Sequence, residues 1–284
     1  MRLSFTKRRM MTILIWLLLA VAFLMVTFPV LWVFLTSLKP WNSVFSIPPT
    51  LFFKPSSVSY TYLFVDSRFA LGVNLLLNMR NSLICATSSM VIAMIASMYA
   101  AYGLSRYTFR GKKAINGFII ATRLLPPIGT IIPFFLLINS LGLIDSLWGL
   151  ILAYTALNIP LSTWLLRGFL DEVPVELDEA AIIDGCGSHR TLWTIVTPLC
   201  APGLVSTAVQ SFVLSWNDFS LANVLTKRQS RTLPLVVSSF MTDEGVYWGP
   251  LSAAAIIVFI PPIVLFLLTY KHLAKGLTVG AVKG

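Results

Sequence analysis

Long apolar runs, separated by short basic turns, leave this chain few ways to fold. Residues 12–38 form the first run, and further runs cover 81–103, 114–138, 147–166, 199–225 and 251–270. A helix needs about 20 consecutive apolar residues to cross a bilayer core, and each of the six reaches or approaches that length. Hydrophobic residues make up 57% of the chain and charged ones only 11%. A soluble domain carries about 25% charged residues, so a soluble fold of this size has too little polar surface to cover the apolar excess. The expected class is an all-α polytopic membrane protein with six transmembrane helices.

Charge placement supplies a topology. The net charge of +10 lies beside the apolar runs, which points to membrane orientation and away from nucleic acid. Six crossings put both ends on one side. The segments on that side hold thirteen Lys and Arg against seven on the other. The positive-inside rule therefore predicts cytoplasmic termini: residues 1–11, a membrane domain over 12–270 and a tail over 271–284. The first run is longer than a signal-peptide core and has no convincing small-residue cleavage site, so it reads as an uncleaved first span with Pro29 as a kink. Small residues recur along the second run (Ala86, Ser88, Ser89, Ala93, Ala96, Ser97, Ala100), which suits close helix packing in lipid. Pro126-Pro127 and Pro133 interrupt the third run.

The polar gap over 167–198 stands apart from the other loops. Asp171 and Glu172 precede Pro174, then 175–184 reads as a short helix with Gly185 as its stop. Ser188 is placed to cap a second short helix that runs to about Thr197. Membrane-surface helices usually present Lys and Arg to lipid. This helix instead presents Glu176, Asp178, Glu179 and Asp184, which an anionic leaflet repels. A basic protein partner fits better, with Ala180 and Ala181 allowing close approach.

Glu179-Ala180-Ala181, then Gly185, then Ile195-Val196-Thr197-Pro198 resembles the EAA loop of ABC importer permeases, with Thr197 where Leu is usual. Asn81-Ser82, Ala100-Ala101-Tyr102-Gly103-Leu104-Ser105-Arg106, Leu125-Pro126-Pro127, Trp164-Leu165-Leu166-Arg167-Gly168-Phe169 and Ser215-Trp216-Asn217-Asp218-Phe219 are similar to the carbohydrate-uptake, maltose-type branch. So is the end, Gly276-Leu277-Thr278-Val279-Gly280-Ala281-Val282-Lys283-Gly284, which is like that branch's smaller permease.

The resemblance implies the type I importer permease fold with cytoplasmic coupling helices, in a bacterial or archaeal cytoplasmic (inner) membrane. It implies a second homologous permease in a heterodimer, a dimer of ATPase subunits and an extracytoplasmic sugar-binding protein. ATP and Mg would then sit in the ATPase, with no cofactor bound by this chain. Glu179, Ala180, Ala181, Asp184, Gly185, Ile195 and Pro198 become the expected coupling residues, and Gly280 and Lys283 in the tail the expected ATPase contacts.

Other residues are weaker candidates. Arg123 is the one cation inside a span, and intramembrane charges usually face a cavity or a partner. With Trp216, Asn217 and Asp218 it forms a candidate translocation path, against the commoner readings of a structural ion pair with Asp218 or a contact with a partner permease. Tyr154, Trp164 and Trp216 are aromatics of a kind that stack on sugars, though interface or lipid contact is commoner. Cys85, Cys186 and Cys200 show no metal-site spacing. A phosphate-binding glycine loop of the Gly-x-x-x-x-Gly-Lys-Ser/Thr form is absent from the sequence, which argues against intrinsic ATP hydrolysis. The rivals are a permease for glycerol phosphate or another polar solute, an ion-driven secondary transporter and a membrane enzyme. The second lacks intramembrane acids other than Asp218, and the third lacks a catalytic constellation.

Overall fold

A computed structural model describes residues 5–66, 74–243 and 245–279; the side chains of residues 5–8, 66, 123, 127 and 272–279 are outside the description. The chain divides into two compact units, residues 1–74 with 237–259, and residues 75–236 with 260–284.

The first unit is led by the helix Phe5–Ser37, with Pro29 inside it. None of its apolar window is buried within the chain, so lipid or a second protein must cover it. At its end Lys39, 3% exposed, places its ammonium over the rings of Trp32 (4.7 Å) and Phe53 (5.7 Å). The following loop is pinned by aromatic rings. Tyr62 stacks on Tyr247 and meets Trp41 edge-on, and Trp41 meets Tyr247 edge-on as well. Tyr247, just before the last apolar run, is thus part of an aromatic cluster within the chain. A two-residue hairpin, Met241–Thr242 with Gly245–Val246, is a small departure from the all-helical expectation.

The second unit is built on two long helices, Leu75–Arg106 and Leu147–Leu170, with Ala201–Trp216 packed on both. On the first of these, Ala86, Ser89, Ala93, Ser97 and Ala101 are all buried. Their spacing of three or four residues makes one face, and their size lets the neighbouring backbone approach. Of the expected stripe, Ala86, Ser89, Ala93 and Ser97 lie on this buried face, whereas Ser88 and Ala96 are half-buried and Ala100 is exposed.

Among the described residues, four helices are long and apolar enough to cross a membrane: Arg9–Ser37, Leu75–Arg106, Leu147–Leu170 and Trp248–Lys271. A fifth arises if Ser188–Leu199 and Ala201–Trp216, bent by 87° at their junction, count as one broken span. The expected third span is two shorter helices, Lys112–Leu124 and Pro127–Ser140, separated at Leu125-Pro126. Proline has no N–H to continue a helix and disfavours helical backbone in the residue before it, which explains the break. The second helix begins at Leu75, earlier than the expected residue 81. Its added turns carry Asn78, and Asn81 and Ser82 follow, all buried. Asn81 donates to the carbonyls of Gln229 and Arg231, at 2.9 and 3.0 Å, and Ser82 accepts from the Leu233 N–H at 2.7 Å.

The same loop is held from a second direction. Asp145, in the left-handed region at φ 57°, accepts N–H bonds from Lys227, Arg228, Gln229 and Ser230 at 2.9 to 3.2 Å, and the Ser230 hydroxyl at 3.0 Å. Burial alone raises its pKa, yet these four backbone donors outweigh it and hold the carboxyl well below the usual range. A depressed folded pKa gives stability that is complete above the unfolded value of about 3.9 and is lost as pH falls from there toward the folded value. Asp145→Asn is therefore expected to lower stability at pH 7 by about 2–4 kcal/mol, since hydrogen bonds to a charge contribute about 1.5–3 each and do not add fully. Thermal unfolding in detergent at pH 7 and below pH 4 checks this. The gap between the two proteins should narrow on acidification, and a gap independent of pH contradicts the assignment.

Candidate coupling site

Residues 171–200 form a compact helical cap on the ends of Leu75–Arg106, Leu147–Leu170 and Ala201–Trp216. Its apolar base is a buried cluster of Met98, Ala101, Tyr102, Leu166, Leu170, Val173, Leu192, Val196 and Cys200. Close contact at this junction depends on Gly203. A Cβ there would lie 2.2 to 2.7 Å from three ring atoms of Phe169.

The acidic helix runs Glu176–Ile183. Gly185 adopts φ 81°, and the bonds Cys186 N–H to Ala181 O and Gly185 N–H to Ile182 O close a Schellman end. The expected glycine stop is therefore in place. The second helical stretch starts at Ser188 as expected, but the Ser188 side chain does not cap it; its hydroxyl accepts from Tyr107 at 3.0 Å. A π-helical turn over Leu192–Val196 follows, then a short turn holding Pro198.

Helical spacing divides the acidic residues between two faces. Glu176, Glu179 and Asp184 are exposed, together with Ile182 (59%) and Ile183 (86%). Among the described residues the Glu179 side chain has no hydrogen bond or ion pair. Asp178 and Ala181, three residues apart, turn inward and are buried. Ala181 is thus a packing residue, which corrects its expected role as open docking surface, while Ala180 is exposed. Ile195 is half-buried and Pro198 exposed.

Asp178 is the residue that sequence reasoning placed on the wrong face. It accepts from Tyr102 Oη at 2.7 Å and from Arg106 Nε at 2.9 Å, and the Asp178 and Arg106 side chains are only 6% and 7% exposed. Arg106 Nη2 also donates to the Val173 carbonyl at 2.9 Å. Removing one partner of a buried pair costs about 3–5 kcal/mol, because the other charge stays buried. Beside this pair, Ser105 donates to Asp171 at 2.6 Å, and Asp171 meets Arg167 at 3.4 Å. Asp171 thus serves the Leu147–Leu170 helix end and not the start of the acidic helix. Tyr99 receives Trp193 Nε1–H at 2.9 Å and lies stacked on His189.

A cavity of about 240 Å³ lies deeper in the second unit, lined by Thr122, Leu125, Thr130, Tyr154, Leu157, Asn158, Leu214, Ser215 and Asp218. Asp218 also accepts from the Leu221 and Ala222 N–H groups in the first turn of the helix Ser220–Leu225. Ser215 receives bonds from Ser89 (3.1 Å) and Asn158 (2.7 Å). Tyr154 is 2% exposed and lies beside Asp218, yet its hydroxyl closes no bond of ordinary geometry. Of the candidate path residues whose side chains are described, only Asp218 lines this cavity. Trp216 is 1% exposed and stacked on Phe212, so it is interior packing, and Asn217 is exposed elsewhere. Arg123 belongs to the Lys112–Leu124 helix by its backbone, but its side chain lies outside the described residues, as do Gly280 and Lys283.

A bundle of apolar helices is thus capped by a short helix whose exposed acids Glu176, Glu179 and Asp184 are unpartnered among the described residues. Residues 90–279 match the family described as binding-protein-dependent transport system inner membrane component. The chain belongs to that family, as an ABC transporter permease. It is 33% identical to the trehalose/maltose transport system permease protein MalG of Thermococcus litoralis, over 90% of this chain and 91% of that one. It is also 33% identical to the diacetylchitobiose uptake system permease protein DasC of Streptomyces coelicolor, covering 93% and 94%. The fold matches a chain of a bacterial ABC transporter involved in import of the acidic polysaccharide alginate, with TM-score 0.80 and 21% identity, over 96% of this chain and all of that one.

Proposed function

We propose that this chain is one of two permeases of a carbohydrate importer, crossing the membrane six times with both termini in the cytoplasm. The bent pair and the two helices broken at Leu125-Pro126 then each make one crossing. Residues 12–270 form the membrane domain, and 167–198 is the loop that docks in a separate ATPase. The observation that carries this reading is the exposed, unpartnered Glu179 beside Ile182 and Ile183. An isolated acid next to two exposed apolar side chains matches the anatomy of a docking surface, a desolvated anchor with a charged partner alongside. Asp184 supplies a second outward acid, and Gly185 ends the helix so that this face stays short. Gly280 and Lys283 in the tail are further proposed ATPase contacts. ATP and Mg belong to that partner.

The cargo class rests on the sugar permeases this chain resembles and on the character of the cavity. Tyr154, Asn158, Thr122, Thr130 and Asp218 offer hydroxyl, amide and carboxylate groups next to Leu157 and Leu214, the mixed lining that a sugar's polar edge and apolar face need. At about 30 Å³ per water, the volume admits one sugar ring. Asp218, and Arg123 by its place in the adjoining helix, are the proposed path residues. An extracytoplasmic binding protein delivers the cargo, in keeping with the family's dependence on such proteins.

The reading is tested by purifying the chain with its second permease and ATPase and adding the cognate binding protein. ATP hydrolysis should rise several-fold with sugar-loaded binding protein. Hydrolysis indifferent to the binding protein counts against it.

A further inference from the structure

The coupling loop has to move something inside the membrane, and the structure shows what it is fastened to. We infer that Asp178, Tyr102 and Arg106 form a clamp that makes the acidic helix and the Leu75–Arg106 helix move as one body, so that this helix is the transmission rod of the transporter. The inference rests on the docking role proposed for the loop.

Three observations carry it. The clamp is buried and doubly bonded: both Asp178 oxygens are engaged, one by Tyr102 at 2.7 Å and the other by Arg106 at 2.9 Å. Arg106 reaches past Asp178 to the Val173 carbonyl, so it holds the backbone before the acidic helix as well as the helix itself. A planar guanidinium with fixed donors resists rotation in a way a single bond does not. Asp178 also adjoins Glu179, so a push delivered at Glu179 arrives one residue from the clamp.

The far reach of the same helix gives the clamp its meaning. Ser89, seventeen residues before Arg106 and so roughly 26 Å along the axis, bonds Ser215 at the cavity wall. Asn81, twenty-five residues before Arg106 and so roughly 38 Å away, holds the 229–231 backbone. One unbroken helix of 32 residues, with no proline inside it, joins the clamp, the cavity and that loop. The other long helix of this unit, Leu147–Leu170, contains Pro160, and the 188–216 stretch is bent by 87°. Leu75–Arg106 is therefore the stiffest route from the loop to the cavity. Tyr102 and Arg106 act through the acidic helix and touch neither cargo nor ATP; they are positioning residues.

The test uses the full complex in proteoliposomes and reads sugar transported per ATP hydrolysed, a ratio unaffected by how much protein folds. Asp178→Asn keeps the size but leaves Arg106 without its anion, and should lower the ratio by about fivefold or more, the low end of typical site-to-site coupling. Arg106→Lys keeps the charge but loses the double grip, and should fall between Asp178→Asn and Tyr102→Phe. Tyr102→Phe removes one hydrogen bond and should lower the ratio about twofold. Should Asp178→Asn fail to assemble, Tyr102→Phe decides alone, because it leaves the ion pair in place. A ratio equal to wild type in assembled Asp178→Asn, or in Tyr102→Phe, overturns the clamp. Co-purification of the ATPase with the wild-type permease is measured in parallel. Its absence overturns the docking reading, whereas a bound ATPase with an unaltered ratio in the variants overturns only the clamp.

Discussion

Glu179→Lys is expected to weaken the hold of the permease on its ATPase by about thirtyfold or more, since reversing one member of an interface charge pair costs about 2–5 kcal/mol. ATP-driven uptake should fall with it. The permease itself should fold and insert as before. Glu179 is exposed and bonds to nothing in its own chain among the described residues, so its replacement leaves no buried group unpaired. Neighbouring Asp178 offers the contrast, because the same change there puts a second cation beside Arg106 in a buried site. The measurement is the fraction of ATPase that co-purifies with each variant, with uptake at fixed ATPase concentration. Full uptake by an assembled Glu179→Lys complex contradicts the docking role. An ATPase variant with the opposing cation reversed should restore it.

Gly203→Ala is the second large expected effect, and it is steric. The added Cβ would sit 2.2 Å from Cγ of Phe169, near the fixed root of that ring. The ring cannot yield by swinging its tip, so either the Ala201–Trp216 helix shifts or Phe169 leaves its place. Overpacking of this kind costs about 1–3 kcal/mol. The cost falls on the junction where the coupling loop meets the bundle. Reduced thermal stability in detergent checks the direction. Phe169→Leu combined with Gly203→Ala should recover part of the loss, because the smaller side chain vacates the overlap. Unaltered stability of Gly203→Ala contradicts the packing described.

Much of this architecture was legible in the sequence, for identifiable reasons. Apolar length is a local signal that marked the membrane helices, although four or five spans and not six qualify among the described residues; of the small-residue stripe, the face at 86, 89, 93 and 97 was read correctly. So was the end of the acidic helix at Gly185, because only glycine readily takes φ 81°. Local signals do not say which face of a short helix turns inward. Glu176, Asp178, Glu179 and Asp184 are alike in composition, and only the long-range position of Arg106 and Tyr102 separates Asp178 from the rest. Its spacing of three from Ala181 was the available hint. The Asp145 site was invisible for another reason: its donors are backbone N–H groups, which carry no side-chain signature. Trp216 was misplaced because an aromatic next to polar residues suits a sugar site and a core equally well. Burial decided for the core and moved attention to Tyr154.

Proline positions explain the remaining difference. The runs read as third and fifth spans contain Leu125-Pro126-Pro127 and Pro202, and the helices stop or bend near them. In a membrane, interrupted backbone is tolerated where it lines a cavity or is buried in protein. Leu125 does line the cavity, so the same break that obscures a span also shapes the proposed path.

A permease of this family is expected to move sugar only as part of an ATP-driven machine. Uptake of labelled sugar into proteoliposomes, with the second permease, ATPase and binding protein present, tests it most directly. Uptake should require ATP on the ATPase side and sugar-loaded binding protein on the other, and should stop when either is left out. Uptake by this chain without the ATPase, driven by an ion gradient, would contradict it.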